Sequence, residues 1–91
     1  MLYLVSYDIT DTPRRTKVAK ILDDFGDRVQ YSVFECIIDN ELLEKMLSRL
    51  IKVANEAEDS IRVYALCGKC ERVIRIIGQG EVSKEEKVYI L

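Results

Sequence analysis

The sequence predicts a small α+β sandwich, in which a sheet carries two helices on one face. Three patterns predict it. The chain opens on a period-two apolar run, two stretches of helical apolar spacing follow, and further period-two runs lie between and after them. A chain of 91 residues is expected to form one domain, residues 1–91.

The first strand, Met1 to Ile9, has two largely apolar faces, which is typical of a central strand. Its odd positions are apolar throughout, and its even positions end with Ser6 and Asp8. Asp8 therefore closes a face that otherwise has a buried pattern, where a lone carboxylate is costly unless something pairs with it. The C-terminal end of a central strand is also where sites are commonly built. The alternative is an acid that accepts hydrogen bonds from its own turn.

The first helix is expected from about Pro13 to Phe25, with Thr12 as the N-cap and Gly26 at the C′ position. Basic residues crowd its N-terminal half outside the apolar stripe. They indicate either an ordinary solvated helix face or a basic patch that binds phosphates. The basic residues are Arg14, Arg15, Lys17 and Lys20.

Residues 28–38 are expected to be extended, and the facing of their apolar side chains flips between Val33 and Phe34. Such a flip indicates one kinked strand or two short ones. Glu35 lies at the flip and is expected to point to water. The second helix is expected to begin near Asn40, with Asp39 or Asn40 as its cap, and to end within 54–57.

Two strands are expected after the second helix, over 60–67 and 73–77, joined by a turn at Gly68 and Lys69. The last residues, 87–91, are apolar and β-branched. We expect residues 82–91 to form a tail strand that docks on the chain's own sheet or on a partner's edge. Apolar residues on the second sheet face also indicate that a partner covers it.

Composition narrows the possible chemistry. The chain has no histidine, which excludes Ser-His and Cys-His devices, so catalysis would depend on carboxylates, a metal ion, lysine or cysteine. The net charge is −2, so the chain as a whole does not have the basic character of a nucleic-acid-binding protein. No run resembles a membrane span or a leader, and we expect a cytoplasmic protein without a membrane partner.

A single Cys-x-x-Cys motif joins Cys67 and Cys70. A structural zinc site needs four ligands, and Cys36 is the only other thiol in the chain. A thioredoxin-like pair would open a helix, whereas these cysteines are expected in a turn between strands. A local disulfide or simple turn residues are therefore favoured, with a four-cysteine site shared across a dimer as the alternative.

The combined motifs resemble the CRISPR-associated protein 2 family over nearly the whole chain. The resemblance rests on four segments, namely Tyr7-Asp8-Ile9, Pro13-Arg14-Arg15, the run from Arg28 to Glu35, and Arg62-Val63-Tyr64.

This resemblance implies a ferredoxin-like fold with an antiparallel sheet and a homodimer, in which the last strand adds to the partner's sheet. It further implies a subunit of the spacer-acquisition complex that bridges integrase dimers, the CRISPR-associated protein 1 subunits. Metal-dependent nuclease activity on RNA or double-stranded DNA is implied too, with the family's metal-binding acid at Asp8 and Mg²⁺ or Mn²⁺ as the ion. The alternative function is a toxin-like interferase resembling virulence-associated protein D.

Two roles for side chains follow as predictions. Asp8 is expected to be the catalytic acid and metal ligand, in a site made by two protomers. Arg14, Arg15 and Lys17 are expected to contact phosphates, because the N-terminal end of a helix dipole adds to their attraction for anions.

Overall fold

The computed structural model describes residues 1–83, and its elements follow the order β-α-β-β-α-β before a short final helix. The elements are β1 Leu2–Asp8, α1 Thr12–Asp23, β2 Asp27–Gln30, β3 Val33–Ile37, α2 Asn40–Val53, β4 Ser60–Leu66 and α3 Gly68–Glu71.

The strands form one four-stranded sheet in the order β2-β3-β1-β4, and every neighbouring pair is antiparallel. The strand β1 is central, as its two-sided apolar pattern predicts. Val5 lies opposite Phe34 on β3 and opposite Val63 on β4. The predicted α+β class, with an antiparallel sheet and two main helices, is therefore confirmed.

Both helices pack on one face of the sheet. Alternate residues of β1 and β3 and the apolar stripes of α1 and α2 form a single buried cluster. The largest fully buried side chains in it include Phe25, Phe34, Leu22 and Met46. At about 25 cal/mol per Å² of buried apolar surface, this cluster is the main source of stability for so short a chain.

Each main helix begins at an aspartate cap. The Asp11 carboxylate accepts a hydrogen bond from the Arg14 N–H at 2.9 Å, and Asp39 accepts one from the Leu42 N–H at 2.9 Å. The cap at Asp39 matches the prediction. The predicted cap Thr12 is instead the first helical residue, because the carboxylate one position earlier satisfies the free N–H group.

The extended stretch after α1 consists of two short strands. The hairpin of β2 and β3 turns at Tyr31 and Ser32, and its register shifts between Arg28 and Gln30. The turn separates the apolar alternation that ends before it from the alternation along β3, and the two-strand interpretation is correct.

Glu35 does not point to water. It is 9% exposed on the sheet face opposite the helices, and its carboxylate accepts a hydrogen bond from the Ser83 N–H at 3.0 Å. The expectation was wrong because residues far along the chain return across this face. Part of the second sheet face is therefore covered by the chain itself, and Leu2 on the same face is fully buried.

The predicted strand over 73–77 and the turn at Gly68 are wrong. Residues 68–71 form α3, and residues 74–77 have no regular secondary structure, with Val73 and Ile77 64% and 100% exposed. An apolar β-branched run becomes a strand only where a sheet edge pairs with it, and no strand of the described chain does so. Val82 and Ser83 are not in a strand either, and residues 84–91 of the predicted tail lie outside the described residues.

Gly26 allows a close approach between the end of α1 and β3. A Cβ built at Gly26 would collide with the Glu35 carbonyl oxygen and would lie 2.6 Å from the Cys36 Sγ. Its φ is not positive, so the predicted left-handed C′ geometry is absent. The reason for glycine here is the absence of a side chain, and not its backbone freedom.

We predict that Gly26→Ala destabilises the protein by about 1–3 kcal/mol, the usual cost of an overpacked core. Gly68→Ala is the matched control, because the nearest atom to its added Cβ is a flexible arginine nitrogen at 3.7 Å. That control should be neutral or gain up to about 1 kcal/mol. Urea denaturation of both variants measures the difference, and equal stabilities would contradict the steric account.

Candidate functional site

Asp8 ends β1 on the sheet face opposite the helices, and its side chain is exposed. Ser60 lies directly opposite it on β4, and Ser6 and Arg62 form the next cross-strand pair on the same face. The expectation of a buried environment was wrong for the single chain. The covering segment described above hydrogen-bonds Glu35 on β3, and Asp8 on β1 stays open to solvent.

The side chains next to Asp8 carry oxygen atoms, the type of ligand that hard divalent cations prefer. One carboxylate and the hydroxyls of Ser6 and Ser60 are oxygen donors, and Mg²⁺ commonly uses one or two carboxylates while it keeps several waters. Within residues 1–83, however, no three His, Cys, Asp or Glu side chains are grouped to hold a metal ion.

Arg14 is held by three acids. Its guanidinium donates to Asp59 at 2.9 and 3.1 Å and to Glu58 at 2.9 Å, and Asp11 lies 3.7 Å away. The Asp59 side chain is only 1% exposed. These contacts tie the start of α1 to the loop before β4. They argue against the predicted phosphate contact of Arg14, because its charge is already compensated.

The ion pair perturbs both partners. The hydrogen bond from Arg14 lowers the pKa of the Asp59 carboxyl, and the Asn55 backbone N–H lowers it further. The same hydrogen bond raises the pKa of Arg14 above its ordinary value. Both shifts favour the charged pair in the folded state.

The positive charges of Arg15 and Lys17 are less compensated by nearby acids than the charge of Arg14 is. Arg15 donates to the Ile9 carbonyl at 3.0 Å and to the Thr12 hydroxyl at 3.2 Å, so neutral oxygens position its guanidinium beside the loop that follows Asp8. Lys17 is exposed on α1. In the part of the chain that the structure describes, neither residue forms an ion pair with an acid, and this distinguishes both from Arg14.

A groove of about 430 Å³ runs between α1 and the β2–β3 hairpin. Arg15, Lys20 and Arg28 bring three positive charges to it, and Asp23 brings one negative charge. Arg28 donates to the Tyr7 hydroxyl at 3.4 Å and lies 5.2 Å from the centre of the Phe34 ring. Such a cation–π contact fixes the plane of the guanidinium.

Tyr31 adds an aromatic surface to this groove, because its side chain is 80% exposed at the hairpin turn. Exposed aromatics beside arginines are suited to stacking on bases. Arg28 and Tyr31 have no predicted role in the sequence. The available signal was an arginine in a short strand followed by a tyrosine at the turn.

Comparison with known proteins agrees with this architecture. The family model described as CRISPR associated protein Cas2 matches residues 1–74. The chain belongs to the Cas2 family. A CRISPR-associated endoribonuclease Cas2 from Chloroflexus aurantiacus is 45% identical over 97 aligned residues, which cover 100% of both chains.

Solved Cas2 structures share the fold. Streptococcus pyogenes Cas2 superposes with a TM-score of 0.75 at 40% identity and covers 86% of this chain and 100% of that one. A chain from a partial Cas6-RT-Cas1–Cas2 complex superposes with a TM-score of 0.67 at 31% identity, over 84% of this chain and 89% of that one. In residues 1–83 of this Cas2 family member, no helix has the length and apolar character to cross a bilayer.

We predict that Arg14→Ala destabilises this Cas2 family member most at neutral pH. The folded-state pKa of Asp59 is lowered, so the pair contributes stability above the unfolded aspartate pKa of about 3.9 and loses it as pH falls through the lower folded value. The stability difference between wild type and variant should therefore stay level from neutral pH to about pH 5 and shrink below about pH 4.

Lys45→Ala is the control for this prediction, since Lys45 pairs with Glu41 at 3.7 Å on an exposed helix face. Exposed pairs of this kind contribute only about 0–1 kcal/mol. Urea titrations at a series of pH values measure both variants. A difference for Arg14→Ala that does not change with pH would show that packing, and not charge, stabilises this junction.

Proposed function

We propose that this chain acts as a homodimeric Cas2 subunit of a CRISPR adaptation complex in the cytoplasm. In this role it binds nucleic-acid backbones and bridges integrase subunits, the CRISPR-associated protein 1 chains. The observation that carries the proposal is the family match over residues 1–74, together with a structural relative that belongs to a Cas1–Cas2 complex. Metal-dependent cleavage of RNA or double-stranded DNA is the second part of the proposal.

Backbone binding would use the positive groups of α1 and the hairpin. Arg15, Lys17 and Lys20 lie along one helix, and Arg28 faces Arg15 across the groove. With a net charge of −2, the chain can attract a polyanion only through such a local patch. The exposed Tyr31 ring would stack on an unpaired base at its end.

We predict that the double variant Arg15→Ala/Lys17→Ala weakens binding to any duplex sequence alike. The slope of log K against log salt should fall by about 1 for each phosphate contact that is lost. Arg14→Ala is the matched control, because its guanidinium already pairs with Asp59 and Glu58. Fluorescence anisotropy at several salt concentrations measures affinity and slope, and equal losses in both variants would contradict this assignment.

The proposed cleavage site is Asp8 together with its copy in a second protomer. Two-fold symmetry brings equivalent residues near the axis together, and two close carboxylates repel each other. A bound Mg²⁺ or Mn²⁺ would relieve that repulsion and would supply Lewis-acid activation of a phosphate and a water. Arg62, on the same face as Asp8, would hold a neighbouring phosphate oxygen.

Dimerisation would also cover apolar surface that the described chain leaves open. Tyr64, Val73 and Ile76 are 44%, 64% and 44% exposed, and Ile77 is fully exposed. We propose that this segment, or the tail over 82–91, pairs with a sheet edge of the partner and adds one strand to the partner's sheet.

We predict that Asp8→Asn abolishes metal-dependent cleavage and leaves the dimer and the association with the integrase subunit intact. The amide is nearly isosteric but carries no charge, so it binds a divalent ion poorly. Cleavage assays with and without Mg²⁺ or Mn²⁺, light scattering, and a pull-down with the organism's own integrase subunit should use the same preparation. Glu41→Gln is the control, because it neutralises an exposed carboxylate on α2, and it should keep the wild-type cleavage rate.

Cleavage at the wild-type rate in Asp8→Asn would show that Asp8 is a structural acid. If the wild type has no metal-dependent cleavage, the bridging role stands without the enzymatic one. Failure of the pull-down with wild-type protein would contradict the bridging role itself.

A further inference from the structure

Cys67 and Cys70 lie in one turn at the end of β4, outside the groove and the Asp8 face. Cys67 directly precedes α3, and Cys70 is the third residue of that helix. Both side chains are exposed, and both thiols are free. The predicted turn between two strands disfavours a thioredoxin-like pair, because such a pair opens a helix. The structure removes this objection, because the pair opens a helical turn.

The backbone places the two cysteines at neighbouring positions of one turn. The Glu71 N–H donates to the Cys67 carbonyl at 2.9 Å, and the Arg72 N–H donates to the Gly68 carbonyl at 3.2 Å. Cys67 is the N-cap of α3 and Cys70 is its third residue, and these are the two positions whose side chains approach each other in a capping box. The turn holds no buried residue, so drawing the two Cβ atoms to the disulfide separation of about 3.8 Å disturbs no core packing.

The two exposed thiols differ in acidity. The backbone N–H of Cys70 lowers the pKa of the Cys67 thiol, with further contributions from the Cys70 thiol and the Lys69 N–H. The hydrogen bond to Cys67 raises the pKa of the Cys70 thiol. Cys36 is the internal contrast, because burial, aided by the charges of Asp27 and Glu35, raises its pKa to about 12. One thiol is therefore suited to attack, its neighbour to resolve, and the third is inert.

The surroundings do not favour a metal ion at this pair. A structural zinc site needs four ligands, and residues 1–83 of the chain provide no group of three His, Cys, Asp or Glu side chains. Two thiols alone are a poor zinc site but a complete redox pair.

We propose that Cys67 and Cys70 form a redox-active dithiol, which closes reversibly to a disulfide on reaction with a low-molecular-weight disulfide such as oxidised glutathione. The Cys67 thiolate attacks one sulfur of the oxidant, whose S–S bond breaks and releases one small thiolate. Cys70 then loses its proton and attacks the Cys67 sulfur of the mixed disulfide, which releases the second small thiolate. The two protein thiols are oxidised, and the small disulfide is reduced to two thiols.

The position of the pair gives this reaction a structural consequence. The helix α3 joins the edge strand β4 to residues 73–83, which return across the sheet to Glu35. A disulfide in α3 would restrain the start of that segment.

The test uses the full chain and counts reactive thiols under native conditions with an aromatic disulfide reagent. Reduced protein should show two reactive thiols, because Cys36 is buried. After incubation with oxidised glutathione it should show none, a mass lower by two hydrogen atoms and no attached glutathione. Dithiothreitol should restore both thiols. The exposed double variant Cys67→Ser/Cys70→Ser is the matched control and should show no reactive thiol before or after the incubation.

Single variants separate the two roles. Cys70→Ser should accumulate a glutathione adduct on Cys67, because this thiol keeps the backbone N–H that lowers its pKa and has no neighbour to resolve the adduct. Cys67→Ser should react more slowly, by about threefold or more at neutral pH, because the Cys70 thiol lacks the backbone N–H donors that lower the pKa of Cys67. Equal reactivity of the two variants, or glutathione adducts on both cysteines of the wild type without closure, would overturn the proposal. Stoichiometric zinc that protects both thiols in the purified protein would overturn it as well.

Discussion

The position of β1 between two antiparallel neighbours is the constraint on which the rest of the structure depends. Because side chains alternate along a strand, one register sends Val5 and Tyr7 into the helix-covered core and sends Asp8 to the opposite face. A shift by one residue would exchange the two sets. The same hydrogen-bond ladders that bury the core therefore hold the candidate catalytic carboxylate on a rigid strand end.

Arg14 and Arg15 are adjacent in the chain but have partners of different charge. Arg14 is enclosed by Asp11, Glu58 and Asp59 and connects α1 to the loop before β4. The guanidinium of Arg15, one residue later, donates hydrogen bonds to neutral oxygens, and these do not compensate its positive charge. The two adjacent arginines therefore have different surroundings. As a result, a chain of net charge −2 can still present a local positive surface.

The second sheet face shows why assembly matters to this fold. The chain covers the Glu35 end of that face with its own residues up to Ser83, while Asp8 and Arg62 stay exposed. Asp8 brings one carboxylate to the open end of this face, and the exposed apolar side chains around 73–77 have no strand to pair with in the described chain. A second copy related by two-fold symmetry would supply both another carboxylate and a strand that pairs with these apolar residues. The proposed metal site and the proposed dimer therefore depend on the same surface.

Features that depend on local spacing could be predicted from the sequence. The central strand, the two helices and Asp39 as one of two candidate caps follow from periodicity and from single capping residues, which act over a few positions. The same periodicity shows the change of facing within 28–38 but leaves one kinked strand and two short strands both possible. The resemblance that led to Asp8 also lies in short motifs, whereas the prediction for Arg14, Arg15 and Lys17 came from their crowding at the start of the first helix. Tertiary structure alone decided the pairing of Arg14 with Asp59 and the burial of Glu35 beside Ser83, 45 and 48 residues apart in the chain. It also decided that 73–77 is no strand and that the cysteine pair opens a helix, because a strand needs an available edge and a charge needs a partner, and neither is recorded in the local pattern.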